Sequence, residues 1–474
     1  MKPTVDHPLP APIRLRRPPA LDPDFLPAEL WMRAYEARVR DCGAPRPAAI
    51  ALEREGGECD VLRFEALPDR PEFAALNRRL IERLVKYRLW QCGGTRITVA
   101  GAPEQVPELA RAYAPGGARA FDYNIFSDGI YREPLVFRSA PLEEVPPPRA
   151  TDRALGRHLD GCRVGFDLGG SDRKCAAVVD GEVIFSEEVV WSPYFEKDPE
   201  YHRAGLHDSI ARAAAKLPRV DAIGGSAAGE YINNEARVAS LFRGISREDF
   251  DSRIRRMFLE ERALWNNVPF EVANDGEVAA LAGAMALNVC PIFGLSFGTS
   301  TATGYVNEKG NITTWLDEMA FAPVDFRPDA PADEWSGDLG VGSQYFSQQA
   351  VGRLLKPAGI ELPADLGLPE KLKEVQRLMA AEDPRARRIY ETIGGYLGYS
   401  MAWFARFYAV DNVLLLGRVM SGDGGAVIID EARATLRAEF PEIAERCVFH
   451  TPDERLKRHG QAIAAASLPE IPKR

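Results

Sequence analysis

Four short stretches carry residue types and spacings that suit the binding and chemistry of a nucleotide phosphate. In VGFDLGGSDRKCAAVVDGEV, an apolar run reaches Asp167, turns on Gly169, Gly170 and Ser171, and becomes apolar again. An Asp at a strand end, two bare backbone positions and a hydroxyl can hold a hydrated magnesium ion and cradle phosphate oxygens. The same residues also make an ordinary hairpin turn. FGLSFGTSTATGYV repeats the arrangement, with Gly298, Thr299 and Ser300 between apolar runs, so two hairpins can grip a polyphosphate from both sides. Between them, VPFEVANDGEVAALAGAMAL ends a strand on Asn274 and Asp275 and continues as an Ala-rich helix. That pair can serve chemistry or simply cap the helix. YAVDNVLLLGRVMSGDGG runs a buried strand into Gly417 and a Gly-rich loop, suited to close approach of a flat base or ribose. Lys174 lies three residues past Ser171, where a cation can reach a γ-phosphate or pair with a surface carboxylate.

The elements that must position these residues repeat. RVGFDL, KCAAVV and EVIFSEEVV read as a three-stranded antiparallel meander, followed by the helix HDSIARAAAKL and the strand VDAIGGS. A second cycle begins at CPIFGLSFG, with TATGYVN and NITTWL as its next strands, and QAIAAASL closes the chain as a small-residue helix. Two meander-plus-helix lobes in tandem are predicted. The Pro-rich, charged stretch SAPLEEVPPPRATDRALGRHLDG reads as a linker, which divides the chain into 1–150, 151–285 and 286–474. Within the first part, PEFAALNRRLIERLVKYRLWQCGG predicts a helix ended by a Gly pair, TRITVAG a strand and PEQVPELARAYA another helix. This is a small α/β module, and the Pro-rich first forty residues are expected to run extended over the surface or to be disordered.

Bulk properties exclude several classes. A chain of 474 residues, 46% hydrophobic, has room for about three domains. A net charge of −10 with no basic patch beyond Arg14, Arg16 and Arg17 argues against a nucleic-acid or anionic-membrane partner. There is no apolar span long enough to cross a membrane and no signal-peptide pattern, so a cytoplasmic location is expected. The seven cysteines are scattered, with neither a disulfide framework nor a zinc knuckle.

In this order, DLGGS at 167–171, GSAAG at 225–229, ANDGE at 273–277, FGTS at 297–300 and LLLGRV at 414–419 resemble the ROK family of sugar kinases, over residues 160–468. The resemblance implies an α/β fold of two RNase H-like lobes, as in actin-like ATPases, around an ATP cleft, preceded here by the small N-terminal α/β domain. It implies Asp275 as the general base toward a sugar hydroxyl, with Asn274 and Gly229 beside the sugar. Asp167 would face magnesium. Gly169, Gly170 and Ser171 would take one phosphate site, Gly298, Thr299 and Ser300 the other, and Gly417 the adenosine. A homodimer is a further expectation of the family. The chain departs from the pattern in two places. Glu318 keeps the family's sugar-binding Glu, but Phe321 stands where a His belongs, and ADEWSGDLGVGSQYFSQQAVGRLL contains no cysteine where the family has a zinc loop, so no zinc is expected. Gln344 is the nearest match to a second sugar-binding Glu, and a Gln both donates and accepts, so a different specificity is expected. Trp315, Phe321 and Trp335 can form an apolar wall for a modified substrate or act as core aromatics. Two other readings stand beside the ATP-dependent carbohydrate kinase: a sugar-responsive transcriptional regulator, which the balanced charge before residue 150 disfavours, and a non-catalytic or redirected actin-like protein.

Overall fold

A computed structural model describes residues 9–150, 155–452 and 460–472. Before the linker, β1 (Arg46–Glu53), β2 (Cys59–Ala66), β3 (Arg96–Ala100) and β4 (Val136–Ala140) form one sheet in the order β2–β1–β3–β4. The helix Ala74–Cys92 packs beneath it and ends, as its Gly pair predicts, on Gly93 at φ 77°. The first forty residues depart from expectation. Ala28–Asp41 is a helix whose Trp31, Met32, Tyr35 and Val39 face inward, a helical spacing masked by the flanking prolines. Residues 1–8 lie outside the described residues.

The first lobe has the predicted meander, β5 (Cys162–Leu168), β6 (Asp172–Val179) and β7 (Glu182–Val190). After the helix Pro199–Ala214, β8 (Ala222–Ala227) joins parallel to β5. A short hairpin follows, β9 (Glu230–Ile232) and β10 (Glu235–Val238), and β11 (Phe270–Asn274) then joins parallel to β8. The order β11–β8–β5–β6–β7 is that of an RNase H-like sheet. In the second lobe, β12 (Ile292–Phe297) pairs antiparallel with β13 (Thr301–Val306), and β14 (Asn412–Leu416) and β15 (Val448–His450) extend the sheet in parallel. The strand expected over NITTWL does not form. Ile312 makes only isolated bridges, to Val306 and Leu155. Its continuation turns instead onto the N-terminal module, where Thr314 Oγ1 donates to Glu58 at 3.2 Å and Trp315 Nε1 to Asp60 at 3.1 Å.

Two small-residue helices knit the lobes together. Gln461–Ala466 lies directly on the first sheet, where a Cβ on Gly165 or Gly224 would fall 1.8 Å from Ala462 O or 1.7 Å from Ala465 O. Only glycine allows this approach. Asp275–Leu287 leaves the end of β11 and packs on β12 and β13 of the second lobe.

The N-terminal module shares its hydrophobic core with the second lobe. Tyr87 stacks on Phe407 with ring centroids 4.2 Å apart, and Trp31 and Trp403 both flank Phe326. Within this core, fully buried Lys86 is held between Asp122, at 2.9 Å, and Asp338 of the second lobe. A buried cation shared by two carboxylates is destabilising to break, because the partners stay buried and uncompensated. Lys86→Met is therefore expected to lower stability by about 3–5 kcal/mol. Denaturant unfolding of the full chain checks this, and a midpoint equal to the parent's contradicts it.

Candidate active site

The β5–β6 turn places Asp167 at the end of a buried strand. Ser226 Oγ of β8 donates to Asp167 Oδ1 at 2.7 Å, and Lys174 stands opposite Asp167 in the strand register. Burial pushes the Asp167 carboxyl up to about 6, against the pull of the Ser226 bond and Lys174. Lys174 itself is paired with Asp172 at 3.2 Å. The turn is closed by Gly169 N–H donating to Asp172 O at 3.0 Å, and Trp191 Nε1 donates to Gly169 O at 2.7 Å. In the second turn, Gly298 N–H donates to Ser300 O at 2.9 Å. Gly169 and Gly298 thus use their amides to close their own turns. The amides of Gly170, Ser171, Thr299 and Ser300 make no hydrogen bond among the described residues and remain available to an anion. Thr299 and Ser300 are exposed. Gly417, at φ 94°, sits with its Cα against the Phe297 backbone, so a Cβ would lie 2.4 Å from Phe297 O. The second hairpin and the Gly417 turn are thereby one unit. No hydrogen bond or ion pair joins that unit to the first hairpin among the described residues.

Asn274 and Asp275 divide the roles that their sequence leaves open. Asn274 is the helix cap: its Oδ1 accepts from Gly276 N at 2.8 Å, and its Nδ2 donates to Gly229 O at 3.0 Å. Asp275 is the first helical residue and half-buried, with its carboxylate stabilised by the amides of Asp275 and Gly276 while burial pushes its pKa up. Asp275 lies close enough to Asp167, Tyr194 and Glu318 for its charge to act on each. The Tyr194 hydroxyl rests against Gly170, and the Arg243 guanidinium lies 4.0 Å above the Tyr194 ring centre. Asp275 therefore stands between the first hairpin and a second group of carboxylates.

Two of that group, Glu230 and Glu277, line a cavity of about 410 Å³ formed by both lobes and by Arg54, Glu58 and Tyr131 of the N-terminal module. Glu318, just past the cavity-lining residues 313–316, is held by the C-terminus of the Ala74–Cys92 helix: Glu318 N–H donates to Trp90 O and Asp317 N–H to Gln91 O, each at 3.0 Å. Burial, with Asp275 and Asp317 nearby, pushes Glu318 up to about 8. Asp317, whose Oδ1 accepts from Tyr408 Oη at 2.6 Å, is pushed by burial to about 7. Glu230 and Glu277 are raised well above the usual carboxylate range, by burial and then by these same neighbours.

Of the predicted residues, the structure brings together Asp167, Asp275, Asn274, Gly229 and Glu318. Gln344 lies on a neighbouring turn with its amide donating to Gln349, and no hydrogen bond links it to Glu318. The three aromatics do not form one wall. Phe321 is a core residue against Trp90 and Phe121, with exposed Trp335 on its edge, whereas Trp315 stacks on Tyr305 and lines the cavity. Sequence reasoning missed Glu230, Glu277, Asp317, Tyr194 and the N-terminal contributors. Glu277 carried a readable signal, because Asn274-x-x-Glu277 is a capping box and the Glu277 carboxylate reaches back to the Asn274 amide.

No family model and no curated protein matches the chain. Its similarity is to ROK-family structures. The ROK hexokinase from Thermus thermophilus is 21% identical over 64% of this chain and 97% of its own, with a TM-score of 0.47. A ROK family glucokinase from Streptomyces griseus, in complex with glucose and AMPPNP, is 19% identical over 65% and 99%, at 0.46. A ROK family transcriptional regulator, a homologue of E. coli MLC, is 18% identical over 65% and 79%, at 0.49.

The raised carboxyls set a pH dependence. Asp317 and Glu318 hold protons in the folded state, up to pH about 7 and about 8, that the unfolded chain releases near its ordinary carboxylate values. The folded state then binds more protons, so stability falls as pH rises through this window. The melting temperature is expected to drop between pH 5 and pH 8, and less steeply in Glu318→Gln. A rise over that range contradicts the assignment.

Proposed function

We propose that this chain transfers the γ-phosphoryl group of ATP to a hydroxyl of a sugar or sugar-like acceptor, with Asp275 as general base. The observation that carries the reading is the place of Asp275, between the Asp167–Ser171 hairpin on one side and the acidic cavity on the other. In this reading the amides of Gly170 and Ser171 and those of Thr299 and Ser300 hold the phosphates from two sides, and the Gly417 turn takes the nucleoside. Phosphoryl transfer asks mainly for positioning and charge stabilisation, which backbone amides supply. Asp167 suits a magnesium site, because burial without a full set of donors leaves its carboxylate to be stabilised by a cation, and magnesium commonly uses one or two carboxylates plus water and phosphate. Bound magnesium would neutralise charge on the phosphate oxygens. Asp275 accepts the proton of the acceptor hydroxyl as its oxygen attacks the γ-phosphorus, and ADP departs with the bridging oxygen. Asn274, held by Gly276 and Gly229, fixes the start of the helix that carries Asp275. In this reading Glu318 hydrogen-bonds the acceptor.

The test is Asp275→Asn. Because Asn274 is the cap, the substitution removes a base without removing the cap, so folding is expected to be unchanged. Turnover in a coupled ADP assay over a panel of sugars and cyclitols is expected to fall by about 10²–10⁴, with nucleotide affinity retained. Asp167→Asn is expected to weaken magnesium-ATP binding instead. An Asp275→Asn protein that turns over at the parent rate removes the proposed base.

A further inference from the structure

We propose that the acceptor bound in the cavity carries a protonated amino group, as in an amino sugar or an aminocyclitol, rather than being a neutral sugar. This rests on reading the cleft as that of a phosphotransferase and names its acceptor class. The cavity has the volume of a small-molecule site. Its lining holds four carboxylates, Glu58, Glu230, Glu271 and Glu277, and one cation, Arg54. Arg54 is already committed: Nε donates to Glu58 at 2.8 Å, and Nη1 donates to Asp60 and to Cys92 O, each at 2.6 Å. Asp275, Asp317 and Glu318 add to the negative field felt at Glu230.

Glu230 is the most telling member. It lines the cavity, its Oε1 is buried, and that oxygen has no hydrogen-bond partner. An acceptor left unmatched in a field of like charge is costly unless something brings positive charge to it. Protons offset part of this in the empty cavity, as the raised carboxyls show. Among the described residues no three His, Cys, Asp or Glu side chains are arranged to hold a metal ion. An ammonium fits what remains. It offers three donors, which carboxylates accept once their own protons are displaced, and Tyr131 and Tyr231 in the same lining supply aromatic rings, which attract cations.

The test is calorimetric titration of the full chain without nucleotide, using glucosamine and 2-deoxystreptamine against glucose and N-acetylglucosamine. At least one amino probe is expected to bind tenfold or more tightly than every neutral probe. Glu230→Gln is expected to weaken that probe by about 10- to 100-fold, the range for a hydrogen bond to a charged group, while leaving the neutral probes unmoved. Should this variant unfold, added salt serves in its place, weakening the amino probe and not the neutral ones. Neutral probes binding as tightly as the amino probes, or no binding of either amino probe, overturns the proposal. Phosphorylation is scored separately with magnesium-ATP. An amino probe that binds without being phosphorylated keeps the acceptor class and removes the kinase reading. A phosphorylated glucose with no amino-probe binding does the reverse.

Discussion

The last turn of the Ala74–Cys92 helix fixes the segment that carries Asp317 and Glu318. A helix end leaves carbonyls without partners, and here each finds one. Leu89 O accepts from Gly93 N–H, Trp90 O from Glu318 N–H, Gln91 O from Asp317 N–H, and Cys92 O from Arg54 Nη1. Two of the four donors belong to the segment that carries Glu318. The third strand of the second lobe's meander is given up for these bonds, because the chain past Ile312 leaves the sheet to reach them. The N-terminal module is therefore part of the cleft, and its own core, continuous with the second lobe through Tyr87, Trp403 and Phe326, keeps the helix end in place.

Holding Glu318 there brings a burden of charge. Glu318, Asp317, Glu230 and Glu277 all rise above ordinary carboxylate values chiefly through burial, with repulsion from neighbouring carboxylates added. Asp275 lies close enough to Glu230 and Glu318 on one side and to Asp167 on the other for its charge to act on all three, the position that the proposed base requires. Perturbed carboxyls gathered in a cleft are a mark of functional sites, since a fold optimised only for stability would not assemble them.

What could be read from sequence was what is local. Asp167 with Gly169, Gly170 and Ser171, and Gly298 with Thr299 and Ser300, are legible because a strand end, a tight turn and a hydroxyl lie within a few residues. The capping role of Asn274 was legible for the same reason. The hairpin that presents Glu230 had a signal too, in the Asn233-Asn234 pair that adopts positive φ at its turn. The contacts of Thr314 and Trp315 with Glu58 and Asp60 join residues more than 250 positions apart, and no local pattern announces them. The helix at Ala28–Asp41 was obscured by the prolines that flank it.

If the cleft moves a phosphoryl group to a hydroxyl in the acidic cavity, the product is a phosphomonoester. The most direct measurement is phosphorus-31 NMR of the full chain with magnesium-ATP and a mixture of hexoses, amino sugars and aminocyclitols. A new phosphomonoester resonance is expected to grow in step with ADP. Growth of inorganic phosphate alone, or no loss of ATP, would contradict it.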